Sequence, residues 1–236
     1  MKNQDPSQEQ LQSVLNLYTH GKLQQALSES SQMLERFPNS VVLYNISGAS
    51  NAALKRFDAA IESYKQALRI KPDYAEVHNN MGTALSDKGD FEGAIESYKQ
   101  ALRIKPDYAG AYNNMGNALS SKGDLAEAIE SYKQAIRIKP DFAGAYNNMA
   151  NAMKNKGDLV EAIESCKQAL KIKPDYADAY YNMANAMKDK GDLAEAIDSY
   201  KQALKIKPNY ASAYYNMGNA MKDKGDLAEA IDSYKQ

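Results

Sequence analysis

The sequence predicts an all-α chain built from one repeated pair of helices, and three observations carry that reading. Six of the seven prolines, Pro38, Pro72, Pro106, Pro140, Pro174 and Pro208, recur every 34 residues, a period that signals a helical array rather than one closed core. Within each period the apolar residues follow a helical rhythm in two separate segments, with none of the alternation a strand requires. Turn residues stand between the segments at nearly the same place each time.

With the recurring proline set as position 32, the repeats are 7–40, 41–74, 75–108, 109–142, 143–176, 177–210 and an incomplete 211–236, leaving 1–6 as an N-terminal tail. Repeat four shows the elements in order. Asp107 follows Pro106 and is placed to cap the first helix, whose leading amides need an acceptor. That helix carries Tyr112, Met115, Gly116 and Leu119 on one face. Gly123 ends it, because glycine takes the left-handed conformation of a C-cap at little cost. Asp124 opens the second helix and, with Glu127, has the spacing of a capping box, repeated as Asp158/Glu161, Asp192/Glu195 and Asp226/Glu229. Leu125, Ala128, Ile129, Tyr132, Ala135 and Ile136 form its apolar face, and Pro140 stops it. Position 8 is Gly or Ala in repeats two to seven (Gly48, Gly82, Gly116, Ala150, Ala184, Gly218) and position 20 is Ala throughout. Small residues let helix axes approach to about 8–10 Å.

The spacing Tyr112-x2-Met115-Gly116-x2-Leu119, then Ala128-x3-Tyr132, then Pro140, resembles the tetratricopeptide repeat (TPR) over essentially the whole chain. The resemblance implies helix–turn–helix repeats stacked into a right-handed superhelical solenoid, with the first helices lining its inner surface. One repeat cannot bury its apolar face alone, so stability grows with each neighbour. The departures are local: Val14 and Ser30 in repeat one, Lys55-Arg56 in place of the Gly-Asp turn in repeat two, and Cys166 in the tyrosine position of repeat five.

Composition narrows the function. Lys and Arg total 29 against 30 Asp and Glu, a net charge of -1, which gives no bulk reason to bind nucleic acid or an anionic membrane. No apolar run is long enough to span a bilayer, and the polar start, Met1-Lys2-Asn3-Gln4-Asp5, lacks the apolar centre of a signal peptide. A cytoplasmic address is expected. With two histidines, one cysteine and no phosphate loop, nucleophile elbow or zinc motif, the chain reads as a non-enzyme without catalytic residues, metal or cofactor. Cys166 and His78 fill packing places held elsewhere by tyrosine, and Met81, Met115, Met149, Met183 and Met217 read as core. The acid pairs Asp87/Asp90, Asp189/Asp192 and Asp223/Asp226 each have one member assigned as a cap, too few ligands for calcium.

Function in such an array lives on the surface that packing leaves open. Positions 4, 7, 8 and 11 of the first helix share one side, and positions 2, 5, 6, 9, 12 and 13 fall opposite. Position 6 is Asn80, Asn114, Asn148, Asn182 and Asn216, and position 9 is Thr83, Asn117, Asn151, Asn185 and Asn219. Position 5 is Asn79, Asn113 and Asn147, then Tyr181 and Tyr215, which exchange an amide for an aromatic surface. Mid-helix asparagine is less favourable than alanine by roughly 0.5–0.7 kcal/mol, so it needs another reason to be there. An amide both donates and accepts, and a ladder of amides can grip a peptide backbone whatever its side chains. The ladder resembles that of the O-linked N-acetylglucosamine transferase repeats. On this reading, changing Asn148, Asn182 and Asn216 to Ala leaves the fold intact or slightly more stable.

Repeats six and seven differ over their shared length only at Asp178/Ser212 and Ala184/Gly218, so inheritance by duplication stands beside the peptide reading. The lysine at position 5 that the family's anion-binding variant requires is absent. Lys154, Lys188 and Lys222 at position 12 are offset by Asp189 and Asp223 beside two of them, so electrostatic selectivity is expected to be weak. The leading reading is a protein-interaction module binding an extended peptide or partner protein. Two alternatives remain: the substrate-recruiting arm of a larger bacterial glycosyltransferase or sulfotransferase, since the chain stops inside a helix at Gln236, and a self-assembling scaffold. Leu227, Ala230, Ile231 and Tyr234 have no following repeat to cover them, which predicts a two-fold homodimer through that edge.

Overall fold

The computed structural model describes residues 6–235, which hold fourteen α-helices and no strand. The tail expected over 1–6 lies, except for Pro6, outside the described residues, as does Gln236. The helices are α1 (Gln8–Thr19), α2 (Leu23–Arg36), α3 (Val41–Ala53), α4 (Phe57–Ile70), α5 (Ala75–Lys88), α6 (Phe91–Ile104) and α7 (Ala109–Lys122). They continue as α8 (Leu125–Ile138), α9 (Ala143–Lys156), α10 (Leu159–Ile172), α11 (Ala177–Lys190), α12 (Leu193–Ile206), α13 (Ala211–Lys224) and α14 (Leu227–Tyr234). The chain divides into two compact units, Met1–Ala118 and Leu119–Gln236, with the division inside α7. Among the described residues no helix is long and apolar enough to cross a membrane.

Each core cluster joins the second helix of one repeat to the first helix of the next. In the first unit Ala60, Ile61, Tyr64 and Ala67 of α4 pack with Val77 and Ala84 of α5. In the second, Ile163 and Cys166 of α10 pack with Met183 and Ala186 of α11, and Tyr200 and Leu204 of α12 with Ala213 and Met217 of α13. No repeat closes its own core, which is why the pattern must recur to be stable.

The small residue at position 8 makes room for a ring. A Cβ added at Gly48, Gly82 or Gly218 would lie 2.5, 2.7 or 2.5 Å from a ring carbon of Tyr64, Tyr98 or Tyr234, the position-24 tyrosine of the same repeat. Close turns follow the expected chemistry, with Gly89, Gly157, Gly191 and Gly225 left-handed at the ends of first helices. Where repeat two has Lys55 in place of that glycine, the backbone keeps a φ of 59°, at a cost of about 1–2 kcal/mol for a residue with a Cβ.

Three expectations are corrected. First, Asp107 does not cap α7 by its side chain in the expected way; its carbonyl accepts the Ala109 N–H at 3.1 Å, and the helix begins after an aromatic residue, Tyr108. That aromatic recurs beside a lysine three residues earlier, with Lys71 Nζ 4.9 Å from the Tyr74 ring centre and Lys207 Nζ 4.2 Å from that of Tyr210. Second, the capping boxes are not formed at Asp124, Asp158, Asp192 or Asp226, whose side chains accept no amide of the helix they precede. Each instead pairs with the lysine two residues before it, Asp158 with Lys156 at 2.6 Å and Asp226 with Lys224 at 2.8 Å. Asp90 does cap, accepting the Gly93 N–H at 2.9 Å, because its lysine, Lys88, turns to Asp58 of the preceding repeat. A capping box does form at Ser7 and Gln10.

Third, the packed surface is wider than one stripe. Ala145, Ala179 and Ala213 at position 3 and Ala152, Ala186 and Ala220 at position 10 are all 0% exposed. A first helix such as α11 packs against its own second helix, α12, and against α10 of the preceding repeat. Two closed faces leave only a narrow open strip.

Candidate functional site

Position 5 lies under the following repeat rather than on that strip. Asn79, Asn113 and Asn147 are buried, at 8%, 9% and 7% exposure. Four position-6 amides reach back one repeat to a position-5 side chain. In the first unit Asn80 Nδ2 donates to Asn45 Oδ1 at 3.1 Å, and Asn114 Nδ2 to Asn79 Oδ1 at 3.2 Å. In the second, Asn182 Nδ2 donates to Asn147 Oδ1 at 2.9 Å, and Asn216 Nδ2 to the Tyr181 hydroxyl at 2.9 Å. Asn113 and Asn148 are also engaged. These amides therefore staple repeats together, which offsets their poor helix propensity. These hydrogen bonds argue against neutral alanine at Asn182 and Asn216, since Asn147 would be left buried without its donor.

Position 9 faces outward, and a buried hydroxyl on the second helix orients it. Tyr200 donates to Asn185 Oδ1 at 2.6 Å, and Asn216 Nδ2 donates to the same oxygen at 3.0 Å. Two donors converge on that oxygen, so the Asn185 amide nitrogen is turned away from them with both N–H groups unused. Asn216 has the complementary arrangement: both its N–H groups point inward, to Tyr181 and Asn185, leaving Oδ1 without a donor. Tyr234, exposed in the last repeat, also donates to Asn219 Oδ1, at 2.8 Å. In repeat three, Thr83 Oγ1 meets the Tyr98 hydroxyl at 3.2 Å and the Asn79 carbonyl at 3.1 Å. Asn117 is exposed and engaged. Asn151 is exposed and has no hydrogen-bond partner, because Cys166 stands where a tyrosine would reach it.

Burial pushes the Tyr98 hydroxyl up to about 12 and raises that of Tyr200 as well, so both stay protonated donors at neutral pH. Burial likewise pushes the Cys166 thiol up to about 12, which makes it an inert core group. His78 Nε2 lies 2.9 Å from the Pro72 carbonyl, a packing role in keeping with its place.

The two aromatic substitutions part company. Tyr181 is half-buried, its ring centre 4.9 Å from that of Tyr210 and 6.1 Å from that of Tyr200, and its hydroxyl accepts from Asn216. It is part of the packing rather than a free aromatic surface. Tyr215 is 62% exposed. Lys188 lies 4.0 Å from Asp189, a loose pair that leaves little net charge on that stretch. The orienting tyrosine at position 24 was not among the expected site residues. A signal for it exists: the residue is tyrosine and never phenylalanine in repeats two, three, four, six and seven, and a buried hydroxyl needs a partner.

A model of the TPR repeat family matches residues 51–89, 82–121, 116–157, 155–191 and 184–225. No curated protein sequence matches. Among solved structures, this chain is similar to a crystal structure of MamA, at 31% identity and a TM-score of 0.60, over 66% of this chain and 91% of that one. It is similar to the C-terminal part of a TPR repeat-containing protein from Cytophaga hutchinsonii, at 18% identity and a TM-score of 0.75, over 95% and 93% of the two chains. It also resembles YrrB, described as a TPR protein with an unusual peptide-binding site, at 19% identity and a TM-score of 0.62, over 78% and 95%.

Proposed function

We propose that this chain, which belongs to the tetratricopeptide-repeat family, is a protein-interaction module that holds an extended peptide along the open strip of its first helices. The observation that supports this is the pair formed by Asn185 and Asn216. One presents unused N–H donors and the other an unused carbonyl oxygen, side by side. A peptide unit offers the reverse pair, a carbonyl that accepts and an N–H that donates, so the two match without regard to side chain. Because Tyr200 and Tyr234 already hold their amides, little rotamer freedom is lost on binding. The partner is a peptide or a protein segment in extended form.

The test swaps chemistry without changing shape. Asn185→Asp and Asn219→Asp keep an oxygen for the tyrosine hydroxyl and replace the outward donor with an acceptor. Peptides selected from a random 12-residue phage library on the unaltered chain are expected to lose about tenfold in affinity for each substitution. Asn151→Asp, at an unoriented amide, is expected to change affinity less. Circular dichroism checks that all three fold. Equal affinity for the unaltered and doubly substituted chains would remove the basis of the reading.

A further inference from the structure

The open strip of the first unit is not uniform. In repeat two the residue at position 9 is Ala49, and positions 12 and 13 are Ala52 and Ala53, a combination that no other repeat has. The three alanines floor a hollow of about 320 Å³ flanked by Tyr18 and Tyr64. Tyr64 is 2% exposed, yet its hydroxyl makes no hydrogen bond, because the position-9 amide that would receive it is missing. The Tyr18 hydroxyl is near enough to add to the effect of burial in keeping Tyr64 protonated.

On the α5 side the rim is polar, with Thr83 and Asp87. Asp87 is exposed and makes no ion pair. Its neighbour Lys88 is held by Asp58 at 2.5 Å, and position 12 of repeat three is Ser86 rather than the lysine of repeats five to seven. The hollow thus combines an apolar floor, the half-buried Tyr18 ring, the unbonded hydroxyl end of Tyr64 and one uncompensated carboxylate.

We propose that this hollow is a specificity pocket for a basic side chain, lysine or arginine, of the peptide that lies along the strip. The aliphatic stem covers Ala49, Ala52 and Ala53, the cation passes the Tyr18 ring and the hydroxyl end of Tyr64, and its N–H groups meet Asp87. An apolar side chain would leave the Tyr64 hydroxyl and Asp87 facing a group that cannot bond to them. An acidic side chain is repelled by Asp87. The pocket deepens the peptide-binding reading by naming what part of the ligand sequence is read, and it rests on that reading.

The test uses the full chain and single-residue probes, so that it does not depend on the amide ladder. Nα-acetyl-arginine, Nα-acetyl-lysine, Nα-acetyl-norleucine and Nα-acetyl-glutamate N-methylamides are titrated while backbone amide chemical shifts are followed. The two basic probes are expected to bind in roughly the millimolar range, shifting the signals of Ala49, Ala52, Ala53 and Asp87. Asp87→Asn is expected to weaken them roughly fivefold. Ala53→Leu, at an exposed helix-end residue, is expected to block them with an unchanged unfolding midpoint. Norleucine binding as well as arginine, or Asp87→Asn without effect, overturns the pocket. Basic probes that bind while library peptides ignore Asn185→Asp and Asn219→Asp would sink the ladder reading alone.

Discussion

Repeats five and six have nearly the same first helix, and yet their outward amides are held differently. In repeat six, Tyr200 fixes Asn185 at 2.6 Å from the second helix. In repeat five, Cys166 occupies the same place and Asn151 is exposed with no partner. Both repeats carry alanine at position 8, Ala150 and Ala184, so the close approach of the helices does not separate them. One difference is a buried side chain fifteen residues beyond the amide; the other is position 5, where Tyr181 replaces Asn147 and Asn216 of the next repeat gives a second N–H to Asn185. An open-strip residue is therefore prepared for binding from inside the core, by a group that no ligand would touch.

The largest effect expected from breaking this arrangement is at the ring itself. Gly82→Leu would drive its new carbons into Tyr98, whose ring carbon is already 2.7 Å from an added Cβ, and is expected to cost about 3 kcal/mol. Asn151→Leu, exposed and unpartnered, is expected to change stability by less than about 0.5 kcal/mol. Urea unfolding of the two variants decides. Comparable midpoints would mean that the ring does not set position 8.

A smaller effect is expected from the staples between repeats. Asn182→Ala together with Asn216→Ala removes three hydrogen bonds and leaves Asn147 buried without its donor, against a gain in helix propensity. A net loss of about 2 kcal/mol is expected in the same urea experiment. A gain would return these asparagines to the status of solvated passengers.

The finest test exchanges the two repeats' wording. Tyr200→Phe is expected to cost about 1 kcal/mol and to loosen Asn185, seen as side-chain amide signals that approach those of Asn151. Cys166→Tyr with Ala150→Gly restores the residue pair found in repeats two, three, four and seven, and is expected to hold Asn151 as Asn219 is held. Amide signals that stay alike in all variants would break the comparison.

Much of this was legible in the residues. The 34-residue proline period, the helical spacing and the turn residues predicted two helices in each repeat, and the described residues hold fourteen. The outward position of Asn185 and Asn219 was legible too, from helical geometry alone. The burial of Asn79 and Asn147 was not, because a helix wheel contains one helix and these residues are covered by the next repeat. Nor was the choice made by Asp124 and Asp158, where an amide and a lysine compete for one carboxylate at distances that only the folded turn sets.

The sequence by itself determined the repeat, its helices, its turns and the placing of small residues against large ones, because those depend on local propensity and on periods that a linear pattern records. Only the tertiary structure decided which way each amide faces. Asn151 and Asn185 are the same residue in the same local sequence, Met-Ala-Asn-Ala-Met, and no local rule distinguishes them. They differ because an amide has two nearly isosteric ends, and the end that turns inward is chosen by whatever hydroxyl the neighbouring helix brings within hydrogen-bond distance.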